Sequence, residues 1–452
     1  MTQLPGQAAP PRRDIFSVRA PRYTSYPPAT QFTDSVGPDM ARTWLGQVKV
    51  GEAISLYAHI PFCRRLCWFC ACRTQGTKTD APLAPYVDAL LEEADLVAAA
   101  LPGPVSLSHL HLGGGTPTIL PPDLIATLFD GLRARFPTTA PGAEISVEVD
   151  PTEQDGPRLD ALAAAGVTRA SVGIQDFEPA VQEAIGRPQT PQQTAEAVTG
   201  LRARGIARVN FDLLYGLPHQ TPDTLSRTLD IALGMRPDRM ALYGYAHVPW
   251  ASKRQVMIDG KTLPGGPDRL RLAEMAARRL EDAGYLRIGI DHFAKPDDPM
   301  AIAAGDGTLR RNFQGYTTDA ARTLIGLGAS AISRLPGGHA QNAARTADWR
   351  DRIRAGRLAT ARGHAMTADD TLRARMIERL LCDFRLVPAQ FGDAAPAVRR
   401  HTAEIVLAWP RACTRIPDGT LTIRDEARHL ARLIAMVLDA YASPDGRHSV
   451  AI

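Results

Sequence analysis

Between residues 54 and 291, short apolar runs of strand length alternate with longer stretches of helical period, which leaves few folds open. Ile54–Ile60, Ser108–Leu112, Glu144–Val149, Val167–Gly173, Val209–Leu214 and Arg239–Tyr245 read as strands, and Tyr86–Ala100, Pro122–Arg135 and Arg158–Ala165 as helices. Thr190-Pro191-Gln192-Gln193 and Thr221-Pro222-Asp223 each open another helix, with a threonine cap and proline at the first position. Pro267–Ala283 adds a helix, followed by a strand expected over Leu286–Asp291. Strands joined in this way form parallel β/α units. Pattern alone admits a closed eight-unit barrel or an open doubly wound sheet. In a barrel, the glycines and charges after the strand ends share the face where sites assemble.

The flanks break the pattern. Residues 1 to about 35 form an irregular arm, and Pro21-Arg22-Tyr23-Thr24-Ser25-Tyr26-Pro27-Pro28 is too rich in proline for helix or strand. A helix near Asp39–Val48 leads into the first strand. After about residue 340, Thr367-x-x-Asp370 caps a helix reaching Cys382. A second helix near Pro396–Ala408, a hairpin at Asp418-Gly419 and a long helix over Asp425–Ala442 follow. The order resembles a winged-helix-like module, which by itself says nothing of DNA binding. Three regions result: an arm at 1–35, a β/α region at 36–340 and a mainly helical domain at 341–452.

With 52 basic and 48 acidic side chains, the net charge of +4 gives little support to nucleic-acid binding. No run reaches the ~18 apolar residues of a membrane span. Met1–Pro11 lacks an apolar core, so no signal peptide is expected. Four of six cysteines sit in one loop, which argues for a reducing compartment. The expected location is cytoplasmic.

That loop follows the first strand. Cys63, Cys67 and Cys70 stand in C-x3-C-x2-C spacing, which lets three thiolates turn onto one inorganic object and leaves a coordination position open for chemistry. A zinc knuckle, a disulfide pair and buried thiols are the plainer readings, although no second C-x2-C or Cys/His pair occurs. Cys72 lies one residue beyond Ala71, so in an extended loop it points away from Cys70. Both reach one cluster only if the chain turns at Ala71. Gly113-Gly114-Gly115-Thr116 allows a backbone to approach a ligand closely. Glu144, Ser146, Glu148 and Asp150 share one strand face, and Glu148 is the candidate ligand residue there. Asp212, inside an apolar strand, requires a partner such as a ribose hydroxyl or a fixed arginine. Arg187 reads as an exposed loop charge.

The cysteine spacing, with Phe69 before the third cysteine, resembles the signature of the radical S-adenosylmethionine superfamily. Within it, an ordered set of segments resembles the oxygen-independent coproporphyrinogen III oxidase family: Pro21–Pro27, Tyr57–Cys72, Gly113–Thr118, Glu144–Pro151, Val172–Phe177, Asn210–Pro218, Tyr245–His247 and Arg311–Thr318. Cys72 and Arg311-Asn312-Phe313-Gln314-Gly315-Tyr316 set this family apart from most of the superfamily.

The resemblance implies an incomplete α/β barrel of about six units, with Cys63, Cys67 and Cys70 holding a [4Fe–4S] cluster. It implies two molecules of S-adenosylmethionine, one held by Tyr57, Gly114, Glu148 and Ile332. The second would be held by Phe69, Gly115, Thr116, Gln175, Arg187, Asp212 and Ala246. Tyr57, Glu148 and the non-ligating Cys72 would be catalytic. The substrate would be coproporphyrinogen III, two of whose propionates become vinyl groups, with Arg22 a candidate partner for a propionate. The electron donor and acceptor are unidentified, and a monomer is expected. The leader before Asp14 follows no pattern of the family, and Pro188 departs from it beside Arg187. A haem-binding or haem-delivering relative without oxidase activity, and a radical enzyme on another tetrapyrrole, remain as alternatives.

Overall fold

The computed structural model describes residues 15–442 and 448–450. The leader, residues 1–13, lies outside the described residues. Six strands stand side by side in chain order: β1 (Ala53–Ile60), β2 (Ser106–Gly114), β3 (Thr138–Val149), β4 (Arg169–Gln175), β5 (Arg208–Tyr215) and β6 (Arg239–Gly244). All five adjacent pairs are parallel. After α1 (Pro38–Leu45), the helices α2 (Leu83–Ala100), α3 (Pro122–Arg135), α4 (Gly156–Ala164), α5 (Pro191–Ala203), α6 (Pro222–Gly234) and α7 (Gly266–Asp282) follow the strands.

Local chemistry fixes where these helices start. Thr190 with Gln193, and Thr221 with Thr224, form capping boxes ahead of α5 and α6, each with proline in the first turn. Along β5, Val209, Phe211 and Leu213 are fully buried, whereas Asn210 and Asp212 between them are half-buried on the other face. Strand alternation thereby sends apolar side chains into the core and polar ones into a lumen.

The two ends of the sheet depart from the β/α rhythm. The stretch expected as one strand over Leu286–Asp291 is two strands, β7 (Leu286–Ile288) and β8 (His292–Ala294), split by a turn at Gly289, whose φ is +57°. A Cβ at Gly289 would lie 2.3 Å from the Tyr316 hydroxyl, so the turn demands glycine. Strand β8 pairs antiparallel with both β6 and β7, and the β/α progression ends at six units. At the other end β9 (Thr323–Leu327) runs parallel to β1. It is extended antiparallel by β10 (Ile332–Leu335), β11 (Gly338–Asn342) and β12 (Thr360–Ala365). Residue 340 therefore lies inside β11, and the sheet continues to Ala365. The 12 strands end at β12 and β7, which leaves an incomplete barrel.

The C-terminal domain contains α8 (Ala368–Asp383), capped by a Thr367/Asp370 box, and α9 (Ala395–Ala408). A small sheet of Arg385–Leu386, Cys413–Arg415 and Leu421–Ile423 joins them. The long helix expected over Asp425–Ala442 is instead a 3-10 turn (Asp425–Leu430), a short α-helix (Ala431–Ala435) and another 3-10 turn (Met436–Leu438). Beyond Leu438 the Ala440 amide donates to the Tyr26 hydroxyl of the arm (3.0 Å) instead of to a carbonyl one turn back. Among the described residues no helix is long and apolar enough to cross a membrane.

Candidate active site

The loop after β1 is laced to its neighbours mainly through backbone groups. The amides of Gly115 and Thr116 donate to the carbonyls of Ile60 and Phe62, both at 2.8 Å, and the Trp68 amide donates to the Ile185 carbonyl at 2.9 Å. From the far side, residues after β6 clamp the loop. Gln255, almost wholly buried, donates through Nε2 to the carbonyls of Phe69 (2.7 Å) and Ala246 (3.1 Å), while its Oε1 accepts the Val248 amide. Ser252 Oγ donates to the Cys70 carbonyl at 2.9 Å, and Arg254 to Thr74 Oγ1 at 2.7 Å.

Three sulfurs in this loop each accept one hydrogen bond. Thr116 Oγ1 donates to Cys63 Sγ (3.6 Å), Arg187 Nη1 to Cys67 Sγ (3.4 Å), and the Cys72 amide to Cys70 Sγ (3.4 Å). The chain bends between Cys70 and Cys72, so the opposite orientation expected of an extended loop is not adopted. Contact with the Cys72 thiol pulls the Cys70 thiol down to about 6, and burial pushes Cys63 up to about 11. Cys72 faces a half-open cavity of about 770 Å³ bordered by the sheet and the arm.

Tyr57, Gly114, Glu148, Asp212 and Ile332 line the same cavity. Glu148 Oε2 accepts the Gly114 amide at 2.9 Å, and Oε1 lies 3.5 Å from His111 Nε2. Burial opposes charge on Glu148, but the His111 ring and the Gly114 amide outweigh it and hold the carboxyl below its usual range. His59 lies beside them, with Nδ1 2.8 Å from the Tyr57 hydroxyl. A Cβ on Gly114 would lie 2.3 Å from the His59 ring, and one on Gly115 would lie 2.6 Å from the Phe62 carbonyl oxygen. Only glycine permits this closeness of backbone and side chains.

Asp212 accepts from Ser171 Oγ (2.9 Å) and Asn210 Nδ2 (3.1 Å), and no arginine pairs with it among the described residues. Burial, with Glu148 nearby, raises its pKa. Gln175 ends β4 with φ of +66°, and its buried Oε1 has no partner among the described residues. Arg187 is only 8% exposed, contrary to its reading as a loop charge, because Asp150 pairs with it at 3.1 Å and the Gly173 carbonyl accepts from it at 2.9 Å. Phe69 packs on a small apolar cluster with Val181, Ile185 and Tyr245. Arg22 donates to the Gly244 carbonyl at 2.8 Å and borders the main cavity. Sequence reasoning missed His59, His111 and Gln255. The two histidines were within reach, since each stands two residues from another inward-facing side chain; Gln255 lies in an irregular segment that carries no such signal.

Residues 57–232 match the family model of the Radical SAM superfamily. The chain is 50% identical to the oxygen-independent coproporphyrinogen III oxidase of Paracoccus denitrificans (strain Pd 1222) over 98% of each chain. It is 36% identical to that of Escherichia coli (strain K12), over 96% of this chain and 95% of the other. The chain belongs to the oxygen-independent coproporphyrinogen III oxidase family. The structure of coproporphyrinogen III oxidase from Escherichia coli, described as a radical SAM enzyme, matches with a TM-score of 0.88 at 35% identity, covering 93% of this chain and 98% of that one.

Membership of a radical SAM family implies a [4Fe–4S] cluster and S-adenosylmethionine. The residues present fit both groups. Three soft sulfur donors, each with its own hydrogen-bond donor, suit a cubane bound through three irons. The glycine cradle at Gly114 and Gly115 and the unpartnered Gln175 Oε1 suit a polar nucleotide.

Proposed function

We propose that this chain converts two propionate side chains of coproporphyrinogen III to vinyl groups without dioxygen, giving protoporphyrinogen IX. Each propionate loses one hydrogen atom from its β-carbon and one CO2, and one electron leaves to an acceptor. The β-hydrogen is not acidic, so no general base can start the reaction. The cluster and S-adenosylmethionine together supply the one-electron chemistry that makes a primary carbon radical.

Cys63, Cys67 and Cys70 would hold the cluster. Tyr57, Gly114, Glu148 and Ile332 would hold one S-adenosylmethionine, with the ionised Glu148 carboxylate fixed by the Gly114 amide. Phe69, Gly115, Thr116, Gln175, Arg187, Asp212 and Ala246 would hold a second. Asp212, oriented by Ser171 and Asn210, presents a carboxylate suited to ribose hydroxyls. Cys72 would stay off the cluster, with its thiol beside the bound nucleotides. The chain would work as a cytoplasmic monomer with an external electron donor and acceptor.

One observation carries this reading. A loop of donor-supported cysteines opens, at Cys72, onto a cavity of about 770 Å³ that Tyr57, Glu148 and Asp212 also line, which is the size of a ligand-binding cleft. Anaerobic turnover of reconstituted protein with coproporphyrinogen III, read by product mass, tests it. The expected products have lost one and then two carboxyl groups. A protein that cleaves S-adenosylmethionine but leaves coproporphyrinogen III intact, while opening or tightly holding haem, would defeat the proposal.

A further inference from the structure

A second, smaller cavity of about 80 Å³ lies behind the sheet edge formed by β6 and β8. Tyr243 and His292 face the main cavity, whereas their neighbours Leu242, Asp291 and Phe293 face this one, so it lies on the opposite side of those strands. Six basic side chains line it: Arg22 of the arm, Arg269 on α7, Arg287 on β7, Arg311, and His429 and Arg432 of the C-terminal domain. The one carboxylate among its lining residues is Asp291, which lies 2.7 Å from His292 Nδ1.

This charge is only partly balanced among the described residues: Asp291 lies near Arg22 and Arg311, Glu281 lies near Arg287, and burial favours the neutral form of His429. Arg269 is 8% exposed, its side chain has no hydrogen bond or ion pair there, and its buried Nε is unpartnered. Nε of Arg287 and of Arg311 is buried without a partner as well, although Arg311 Nη1 reaches the Tyr316 hydroxyl at 3.3 Å. Arg432 does have partners, the carbonyls of Pro21 (3.1 Å) and Ala20 (2.6 Å). Burial pushes the pKa of Arg269 and Arg287 down, and that of Arg432 down to about 9. A buried guanidinium without a counter-charge is costly, and several around one space call for an anion. At about 80 Å³ the space admits one carboxylate or phosphate group and excludes a tetrapyrrole ring.

We propose that this basic cavity is an oxyanion site that takes a single carboxylate or phosphate group, fastening the arm and the C-terminal domain to the sheet. Guanidinium groups meet such oxyanions with paired N–H donors, and arginines from separate parts of the chain supply them here. Arg22 borders both cavities, so filling the small one also fixes the arm over the large one. The same chemistry has two sources: a free inorganic oxyanion, or a propionate of the tetrapyrrole. The second source rests on the function proposed above.

The test uses the full chain in chloride buffer at constant ionic strength, titrated with inorganic phosphate in the low millimolar range. There the surface exclusion of concentrated phosphate contributes nothing. Wild type is compared with Arg269→Met and with Arg287→Gln, a change at a half-buried position. The thermal midpoint of wild type is expected to rise saturably, and both variants to lose at least about tenfold in apparent phosphate affinity. Without phosphate, Arg269→Met is expected to be no less stable than wild type, since it removes an uncompensated charge.

A second arm measures binding of coproporphyrin III, a tetracarboxylate, against its tetramethyl ester. If wild type ignores phosphate but both variants bind the tetracarboxylate at least about tenfold more weakly, the occupant is a substrate carboxylate. A phosphate response with unchanged tetrapyrrole affinity makes it a free oxyanion. Equal phosphate shifts in all three proteins would overturn the site. So would the absence of both responses, above all with Arg269→Met destabilised, since the guanidinium would then be paired within the chain. A phosphate response that persists in a protein without coproporphyrinogen turnover separates this site from the proposed function.

Discussion

Hydrogen bonds to the sulfurs that hold a cluster tune its potential, and each of the three sulfurs proposed for that role accepts one. Cys72 serves Cys70 through its backbone amide, a role that serine at the same position retains. Cys63→Ser, Cys67→Ser and Cys70→Ser are each expected to lose most of the iron and all cleavage of S-adenosylmethionine. Cys72→Ser is expected to keep the iron and the visible absorption while losing tetrapyrrole product. Iron content and absorbance after anaerobic reconstitution decide this. A Cys72→Ser protein stripped of iron, beside a Cys70→Ser protein that retains it, would reverse the assignment. At this scale the sequence carried the cysteines, the glycines and the polar inward positions, because spacing and strand alternation are local. Arg187 was hidden. Its burial depends on Asp150, 37 positions earlier, which supplies its counter-charge.

Gln255 holds the cysteine loop to the segment after β6 by satisfying three backbone groups at once. Gln255→Ala leaves those groups unpaired at about 1–3 kcal/mol for each that stays buried. The expected result is retained iron but at least about tenfold weaker nucleotide binding, measured by equilibrium dialysis; wild-type affinity in that variant would show that the clamp contributes nothing. Glu93 plays a comparable part at the other end of the sheet. Buried on α2, it accepts from the Gly328 amide (2.6 Å), Asn342 Nδ2 (2.7 Å) and Trp349 Nε1 (3.0 Å), and so fastens β9 and β11. Burial raises its pKa from 4.5 to about 7, against the pull of those donors. Between those values the native state holds a proton that the unfolded chain has released, so stability falls as pH rises. Wild type is expected to lose about 3 kcal/mol relative to Glu93→Gln between pH 4.5 and 8, read from urea unfolding at several pH values. A pH-independent difference would mean that Glu93 does not titrate in this window. The six β/α units were legible because caps and alternation are written locally. Strand β9 was not, since its five residues are all buried and show no period. The turn at Gly289 depends on the distant Tyr316.

The arm links the sheet edge to the helical C-terminal region over the main cavity. Its tyrosines Tyr23 and Tyr26 belong to the apolar core of the C-terminal domain, while Thr33 pairs with Gly363 at the sheet edge and Pro21–Ser25 line the cavity. The sequence indicated a proline-broken arm and a helical C-terminal domain, but nothing local indicated that one anchors the other across some 400 residues. The anchor at Tyr23 is a hydrogen bond of 3.0 Å from its hydroxyl to Asp439, a carboxylate only 8% exposed. Tyr23→Phe keeps the ring in the core and removes that one donor, at a cost of about 1–3 kcal/mol. Asp439 retains the Tyr441 amide at 2.8 Å, so the domain is expected to stay folded while the arm loosens. Iron content and nucleotide binding are expected to match wild type, since the Tyr23 hydroxyl turns to Asp439 and not to the cysteine loop. The KM for coproporphyrinogen III is expected to rise several-fold, with more S-adenosylmethionine consumed per vinyl group, because a loosened arm admits water beside the reacting carbon. Asp439→Asn, which keeps an acceptor for Tyr23, is expected to fall between the two. If Tyr23→Phe matches wild type in both KM and S-adenosylmethionine consumed per product, the arm is a passive cover and the C-terminal domain has no part in catalysis through it.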